Sequence, residues 1–150
     1  MDSILITKDF NAPIEQIFEL LSKHDTYNVA FAPMQVERIK DALDANRPDG
    51  VGSIRKLGLG KMKPLQEQIT LLLSNERIEY KIIKNPLVKH HIGIITFEAI
   101  EERITRVNYT IELQMRLPFV SKLILAQLKS GIKLGFSKLA KTVEVKTEMQ

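Results

Sequence analysis

The stretch TRVNYTIELQMRLPFVSKLILAQLKSGIKLGFSKLAKTVEV, residues 105–145, contains the two elements that decide the fold. Residues 105–115 alternate strictly: one set faces in, and the polar residues between them face out, which predicts a half-buried strand. The inward set is Val107, Tyr109, Ile111, Leu113 and Met115. Pro118 then opens a helix that we expect to run to about Val145, roughly 40 Å at 1.5 Å per residue.

This predicted helix is amphipathic. At 100° per residue its apolar stripe comprises Ile124, Leu125, Leu128, Ile132, Leu139 and Val143, and Lys122, Lys129, Lys133 and Lys141 lie opposite. A helix of that length crosses a whole small sheet. We therefore expect it to pack its apolar face along the sheet.

The chain upstream supplies the sheet. Alternation predicts strands at 3–10, 65–73 and 77–84, and a turn signal predicts a hairpin of strands at 34–43 and 53–59. Residues 91–99 are apolar on both parities, which predicts a strand covered on both sides or an apolar pocket wall. A helix should end near Ser22, and a short helix or loop should occupy 24–33. Turn signals such as Asn46-Arg47-Pro48-Asp49-Gly50 separate consecutive strands, which favours hairpins and an antiparallel sheet. No linker divides the chain, so residues 1–150 are expected to form a single α+β domain.

Composition narrows the function classes. The chain has no cysteine, which excludes disulfides, thiolate metal sites and cysteine nucleophiles. Its net charge of +4 lies in the last 33 residues, where the lysines have no tyrosine or tryptophan beside them, so we expect no nucleic-acid partner. No apolar run approaches the length of a membrane span and no secretory signal is visible, which predicts a cytoplasmic location.

Four stretches resemble a known family: ITKDFNAPIEQIFELL, RPDGVGSIRKL, PLQEQITLLLSNERIEYKI and the terminal amphipathic helix. In this combination they are similar to the START-related helix-grip (SRPBCC) superfamily, in its polyketide cyclase/dehydrase and lipid-transport branch. The resemblance implies a curved seven-stranded antiparallel sheet wrapped around a long C-terminal helix, with two short helices between strands 1 and 2. It also implies a cavity between the sheet and that helix.

Members of the superfamily host lipids, sterols, quinones and polyketides. The resemblance therefore implies binding or transport of a hydrophobic small molecule, with no cofactor. The alternatives are a polyketide cyclase- or dehydratase-like enzyme and a protein-partner module similar to chaperone-activating relatives. The residues show no convincing acid–base pair, so the non-enzymatic binder ranks first. Neither the ligand nor the oligomeric state follows from the sequence.

Glu67 and Arg55 are the charged candidates for the cavity. Glu67 shares a strand face with Leu65, Ile69 and Leu71, so it could be a buried general acid or base. The alternative for Glu67 is a carboxylate that reaches water or pairs with Arg55. Arg55 could orient a ligand carbonyl or carboxylate, or could be an ordinary exposed strand residue.

Other residues are candidates for the cavity wall. Tyr80 and Tyr109 lie on apolar strand faces, and Gly131 and Gly135 lie four apart on the inner side of the helix, where missing side chains could open volume or allow close packing. The complete set of predicted ligand-binding residues is Phe31, Met34, Arg55, Leu57, Glu67, Ile69, Tyr80, Ile82, Tyr109, Ile111, Leu128, Gly131, Ile132 and Gly135.

The histidines and the helix lysines suggest two further hypotheses. His90 and His91 are adjacent on a strand and point to opposite faces, so they cannot chelate a metal together, and we expect no metal site. His91 remains a candidate lone acid or base. The lysine face of the last helix is either simply solvated or makes weak peripheral contact with an anionic membrane.

Overall fold

The computed structural model describes residues 2–148. Seven strands and three helices follow one another along the chain. They are β1 (Asp2–Phe10), α1 (Ile14–Ser22), α2 (His24–Ala30), β2 (Met34–Lys40), β3 (Ile54–Leu59), β4 (Met62–Leu73), β5 (Arg77–Ile83), β6 (Val88–Glu101), β7 (Ile104–Met115) and α3 (Val120–Glu148).

All seven strands form one antiparallel sheet in the order β1-β7-β6-β5-β4-β3-β2. Strands β2 to β7 form a meander of hairpins. The last strand, β7, also pairs with the first strand, β1, from Asp2 opposite Leu113 to Phe10 opposite Thr105. The predicted helix-grip architecture is thereby confirmed: a curved sheet holds the long helix α3, and α1 and α2 lie between β1 and β2.

The helix α3 packs on the sheet through an aromatic centre. The Phe136 ring is fully buried and lies 5.7 Å from the Phe10 ring and 5.9 Å from the Tyr109 ring, measured between centroids. Leu125, Ile132, Leu139 and Val143 from the predicted stripe are also buried. Leu128 is instead 38% exposed, because the helix lies over a cavity there rather than over packed side chains.

Several boundaries differ from the predictions: β2 ends at Lys40 rather than Leu43, and β4 begins at Met62 rather than Leu65. Helix α3 begins at Val120 rather than Pro118, because Phe119 adopts a left-handed backbone conformation (φ 67°) that cannot be part of an α-helix. Strand β6 begins at Val88 rather than at the predicted His91, since it continues to pair with β7 as far as Met115. Among residues 2–148 no helix combines the length and the apolar character that crossing a bilayer requires.

Candidate functional site

A cavity of about 510 Å³ lies between the concave face of the sheet and α3. Strands β2 to β7 supply its floor, α3 supplies its roof, and the end of α2 with the turn after it closes one side. Its lining is mostly apolar, with a few polar groups at the inner end. A pocket of this kind matches the usual size and composition of small-molecule sites.

Most of the residues predicted from the sequence lie on the wall of this cavity. They are Phe31, Met34, Arg55, Leu57, Glu67, Tyr80, Ile82, His91, Tyr109, Ile111, Leu128, Gly131 and Ile132. The strand residues among them lie together because the sheet has one concave face, and residues of one parity share it. The structure thus brings them together in space, and their role toward a ligand remains a prediction.

Ile69 and Gly135 do not line the cavity. Ile69 is buried in the continuous apolar core that includes Phe18 and Ile95, beyond the inner end of the cavity. Gly135 packs against α2: a Cβ at this position would lie 2.4 Å from Cε1 of Phe31 and 3.0 Å from the carbonyl oxygen of Ala30. For Gly135 the structure therefore supports the close-packing alternative.

A buried ion pair forms the polar end of the cavity. Arg55 on β3 lies directly opposite Glu67 on β4, and its Nε and Nη2 are 3.0 and 2.9 Å from the same carboxylate oxygen, Oε1. Both residues are more than nine-tenths buried. Burial raises the pKa of the Glu67 carboxyl, and the adjacent Arg55 charge opposes that rise. The pairing contradicts the interpretation of Arg55 as an exposed strand residue and brings both charges to the cavity.

Three tyrosines surround this ion pair. The Arg55 guanidinium carbon lies 5.1 Å from the Tyr27 ring centroid and 4.9 Å from that of Tyr80, within the range of cation–π attraction. The hydroxyls of Tyr80 and Tyr109 are hydrogen-bonded to each other. Burial raises the pKa of all three phenols, that of Tyr27 to about 12. We call these five residues the polar cluster: Tyr27, Arg55, Glu67, Tyr80 and Tyr109.

Gly93 makes room for Tyr80. The two residues are paired across β5 and β6, and the tyrosine ring lies over the glycine backbone. A Cβ on Gly93 would lie 2.1 Å from Cζ of Tyr80, so any side chain there would require the Tyr80 ring to move. A glycine in the middle of a strand signals such a close approach, and Gly93 could have been singled out on that ground.

The site also includes Tyr27, which the sequence analysis did not assign to it. Its hydroxyl donates a 2.7 Å hydrogen bond to the carbonyl of Leu21, which fixes the ring, and the ring stacks on Phe31 with centroids 5.7 Å apart. Residues 24–33 lack a clear periodicity, so nothing in that stretch showed which side chains face the cavity.

His91 borders the cavity in its neutral form. Its Nδ1 accepts a 2.9 Å hydrogen bond from the backbone N–H of Ile82, which places the ring proton on Nε2. Burial, helped by the charges of His90 and Arg55, lowers the pKa of His91 to about 4. At neutral pH its ring is therefore a hydrogen-bond donor through Nε2 and carries no charge.

The outer part of the cavity reaches the surface beside α3. Gln127, Gly131, Leu134 and Lys138 recur at helical spacing along its rim, and all four are exposed. A Cβ on Gly131 would meet no atom within 4 Å, so this glycine leaves the rim open. Within residues 2–148, no three histidine, aspartate or glutamate side chains lie close enough to hold a metal ion.

Several solved structures have a fold similar to that of this chain. A START superfamily protein from Mycobacterium smegmatis has a TM-score of 0.74 at 13% identity, with 95% of this chain and 97% of that chain covered. A protein from Thermobifida fusca has a TM-score of 0.76 at 16% identity, with 95% and 93% covered. The di-domain ARO/CYC BexL from the BE-7585A biosynthetic pathway has a TM-score of 0.74 at 15% identity, with 98% of this chain and 48% of that chain covered.

At these identities the structures establish the fold alone. A search of curated protein sequences gives no match. The sequence itself does match one family model over residues 1–144, nearly its whole length. The chain therefore belongs to the polyketide cyclase / dehydrase and lipid transport family.

Proposed function

We propose that this protein binds and carries an apolar small molecule that bears a neutral polar group. The observation that supports the proposal is the cavity of about 510 Å³, whose wall is mostly apolar and whose inner end holds the polar cluster. Burying about 300 Å² of apolar ligand surface at 25 cal/mol per Å² contributes roughly 7 kcal/mol before the costs of association. Binding of this kind requires no catalytic group.

The charges of the polar cluster favour a neutral polar group over a carboxylate. Arg55 is already paired with Glu67, so the inner end of the cavity has no net charge, and a buried ligand anion would lack a counter-ion. Two kinds of hydrogen-bonding group remain. In the hydrogen bond between Tyr80 and Tyr109, the hydroxyl that accepts still has its own hydrogen to donate to a ligand. Oε2 of Glu67 is not part of the ion pair with Arg55 and can accept a hydrogen bond. A ligand carbonyl or hydroxyl suits these groups.

Extraction of the purified protein tests the proposal directly. Native and denatured samples are extracted and analysed by mass spectrometry, and the expected result is a stoichiometric apolar molecule released on denaturation. Uptake of an environment-sensitive apolar dye, competed by the extracted molecule, places the binding in the cavity if Gly131→Leu blocks it. A protein that yields no molecule and takes up no dye would overturn the proposal.

A second candidate function is cyclase- or dehydratase-like catalysis, supported by the position of Glu67. Its buried carboxyl has a raised pKa and borders the cavity beside two phenols, an arrangement that could move a proton on an enolisable ligand. Turnover of a polyketide-like ketone that disappears in Glu67→Gln while dye uptake persists would favour catalysis. If the ketone is unchanged after long incubation, the catalytic function is ruled out and only the carrier function remains.

A further inference from the structure

The two ends of the sheet differ sharply in charge. In this antiparallel order the connections β3–β4, β5–β6 and β7–α3 lie at one end, which we call the basic end. They comprise residues 60–61, 84–87 and 116–119 and contain three basic residues and no acidic one. The connections at the opposite end, residues 41–53, 74–76 and 102–103, contain five acidic and two basic residues.

The basic end also exposes large apolar side chains. These are Leu59 and Met62 at the β3–β4 hairpin, Leu87 before β6, and Leu117, Phe119 and Leu123 around the start of α3, each more than half exposed. Lys61, Lys84, Arg116 and Lys122 lie among them in the sequence. Apolar side chains that alternate with lysine and arginine are the pattern of surfaces that insert into an anionic bilayer.

Two of these connections form one ordered unit. The Arg116 backbone N–H donates to the Leu87 carbonyl at 2.9 Å, and its side-chain Nε donates to the Pro86 carbonyl at 2.6 Å. The Met115 N–H donates to the Ser121 hydroxyl oxygen at 2.8 Å and fixes the start of α3. The exposed apolar residues of this unit are therefore held in place rather than left on loose loops.

Phe119 is the residue that the fold explains least. Its side chain is 87% exposed, and its backbone lies in the left-handed region (φ 67°), which disfavours a bulky residue. Neither packing nor backbone preference accounts for phenylalanine at this position. Such strain is commonly found where the side chain has a binding role.

The basic end adjoins the cavity. Met34, Leu57 and Leu65 line the cavity beside the β3–β4 hairpin, and Val88 and Met115 line it beside the other two connections. We propose that the basic end docks the protein on an anionic lipid bilayer, from which the cavity ligand enters or to which it returns. The loading step rests on the proposed carrier function; the docking does not.

Nearby acidic residues limit the charge. Asp2, at the start of β1, pairs with Leu113 at the basic end. Glu37 lies 3.9 Å from Lys63 and 3.6 Å from Lys56, so these two lysines contribute little to the attraction. The surface therefore depends on Lys61, Lys84, Arg116 and Lys122, at the end where the apolar side chains insert. The lysine face along α3, for which the sequence left open simple solvation or weak contact with an anionic membrane, includes Lys122 but otherwise extends away from this end.

Co-sedimentation with lipid vesicles tests the proposal. Vesicles of phosphatidylcholine alone are compared with vesicles containing equal amounts of phosphatidylglycerol, at low and high ionic strength. We expect binding to the anionic vesicles only, weakened by salt. Phe119→Asn and Lys122→Glu should each lower the partition constant roughly tenfold. Asparagine tolerates the left-handed backbone, and glutamate suits the first turn of a helix, so both variants are expected to fold.

Two matched variants serve as controls. Leu43→Asn removes a side chain that is 88% exposed at the acidic end, and Lys141→Glu reverses a charge near the other end of α3. Both should bind vesicles like the wild type. Absence of wild-type binding to anionic vesicles would overturn the docking, as would an equal loss in Leu43→Asn. So would a dimer in sedimentation velocity that Phe119→Asn dissociates, since the surface would then contact a second copy.

The outcomes also separate this inference from the proposed function. Vesicle binding by a protein that yields no extractable ligand supports docking and removes the carrier role. A stoichiometric ligand in a protein that never binds vesicles supports the carrier role and removes docking.

Discussion

Arg55 and Glu67 face each other across β3 and β4 and form an ion pair at the inner end of the cavity, with two nitrogen–oxygen distances of 2.9 and 3.0 Å to one oxygen. Taking both charges out of water costs about as much as their attraction returns, so a buried pair contributes little net stability. An apolar pair of similar volume would serve the fold as well. Net stability therefore does not by itself explain the ion pair.

Removing one partner should cost far more than removing both. Glu67→Gln leaves the Arg55 charge buried without a counter-ion, and we expect it to lower the free energy of unfolding by about 3–5 kcal/mol. The double variant Arg55→Met with Glu67→Leu should recover most of that loss. Urea denaturation measures both.

A control for this cycle is available on the surface. Glu37→Gln removes the partner of Lys56 at a half-exposed position, and the expected cost is below about 1 kcal/mol. If the double variant were as unstable as the two single variants added together, the buried pair would be a genuine source of stability, contrary to this prediction.

Gly93→Ala should displace Tyr80 from the polar cluster. The new methyl group would overlap the tyrosine ring, since its carbon would lie 2.1 Å from Cζ. We expect a loss of about 1–3 kcal/mol in the free energy of unfolding, the usual cost of overpacking. The chain has three tyrosines, all in the polar cluster, and no tryptophan, so near-ultraviolet circular dichroism reports on the cluster.

The ring of Tyr80 provides the check on that interpretation. Adding Tyr80→Leu to Gly93→Ala removes the overlapping atoms and should restore part of the stability. A Gly93→Ala protein with wild-type stability and an unchanged tyrosine spectrum would show that the strand shifts to accept a methyl group.

Alternation predicted the strands that have one apolar and one polar face, and left the face of residues 91–99 open because that stretch is apolar on both parities. Val107, Tyr109 and Ile111 illustrate the successful case. Successive side chains of a strand point to opposite faces of the sheet, so alternate residues in a half-buried strand share the buried face. The helical stripe likewise predicted that α3 would pack on the sheet. Phe136 was absent from that stripe, although it is the centre of the contact.

What could not be predicted depends on neighbours in space. The sequence did not decide whether Glu67 contacts water or pairs with Arg55. The sequence of a single strand does not determine its register with the neighbouring strand, and it is the register of β3 with β4 that places Arg55 opposite Glu67. Ile69 has the same parity as Glu67 but lies beyond the cavity, since parity does not tell where along a strand the core closes. Gly131 and Gly135 looked equivalent and differ only in what lies opposite them.

The two glycines of α3 should respond oppositely to alanine. Gly131→Ala meets no atom within 4 Å, and the better helix propensity of alanine should raise the free energy of unfolding by about 1 kcal/mol. Gly135→Ala would place its Cβ against the Phe31 ring and the Ala30 carbonyl and should be destabilising. Thermal unfolding of the two variants in parallel gives the comparison.

The same position separates stability from binding. Gly131→Leu extends a side chain from the rim of the cavity and should abolish dye uptake, whereas Gly131→Ala should retain it. If the leucine variant takes up dye like the wild type, ligands do not pass this rim.

Buried neutral histidines should make the protein acid-sensitive. The His24 ring is almost fully buried, and in the described structure neither ring nitrogen makes a hydrogen bond, although Nδ1 lies 3.4 Å from an oxygen of Asp49. Burial, together with the Arg55 charge, lowers the pKa of His24 to about 4 despite Asp49, and His91 has a similarly lowered pKa.

The direction of the effect follows from which state binds protons first. In the unfolded chain a histidine titrates near its ordinary pKa of about 6.5, whereas in the folded chain both remain neutral until about pH 4. Their contribution to stability is therefore complete above pH 6.5 and is lost as the pH falls to about 4, on the order of 3 kcal/mol for each histidine.

Urea denaturation between pH 7 and pH 4 should show this decline. His24→Phe should flatten it, since phenylalanine stays neutral, and His91→Asn should do so while keeping an acceptor for the Ile82 N–H. A wild-type protein equally stable at both ends of that range, or a His24→Phe variant that declines as steeply, would contradict the prediction.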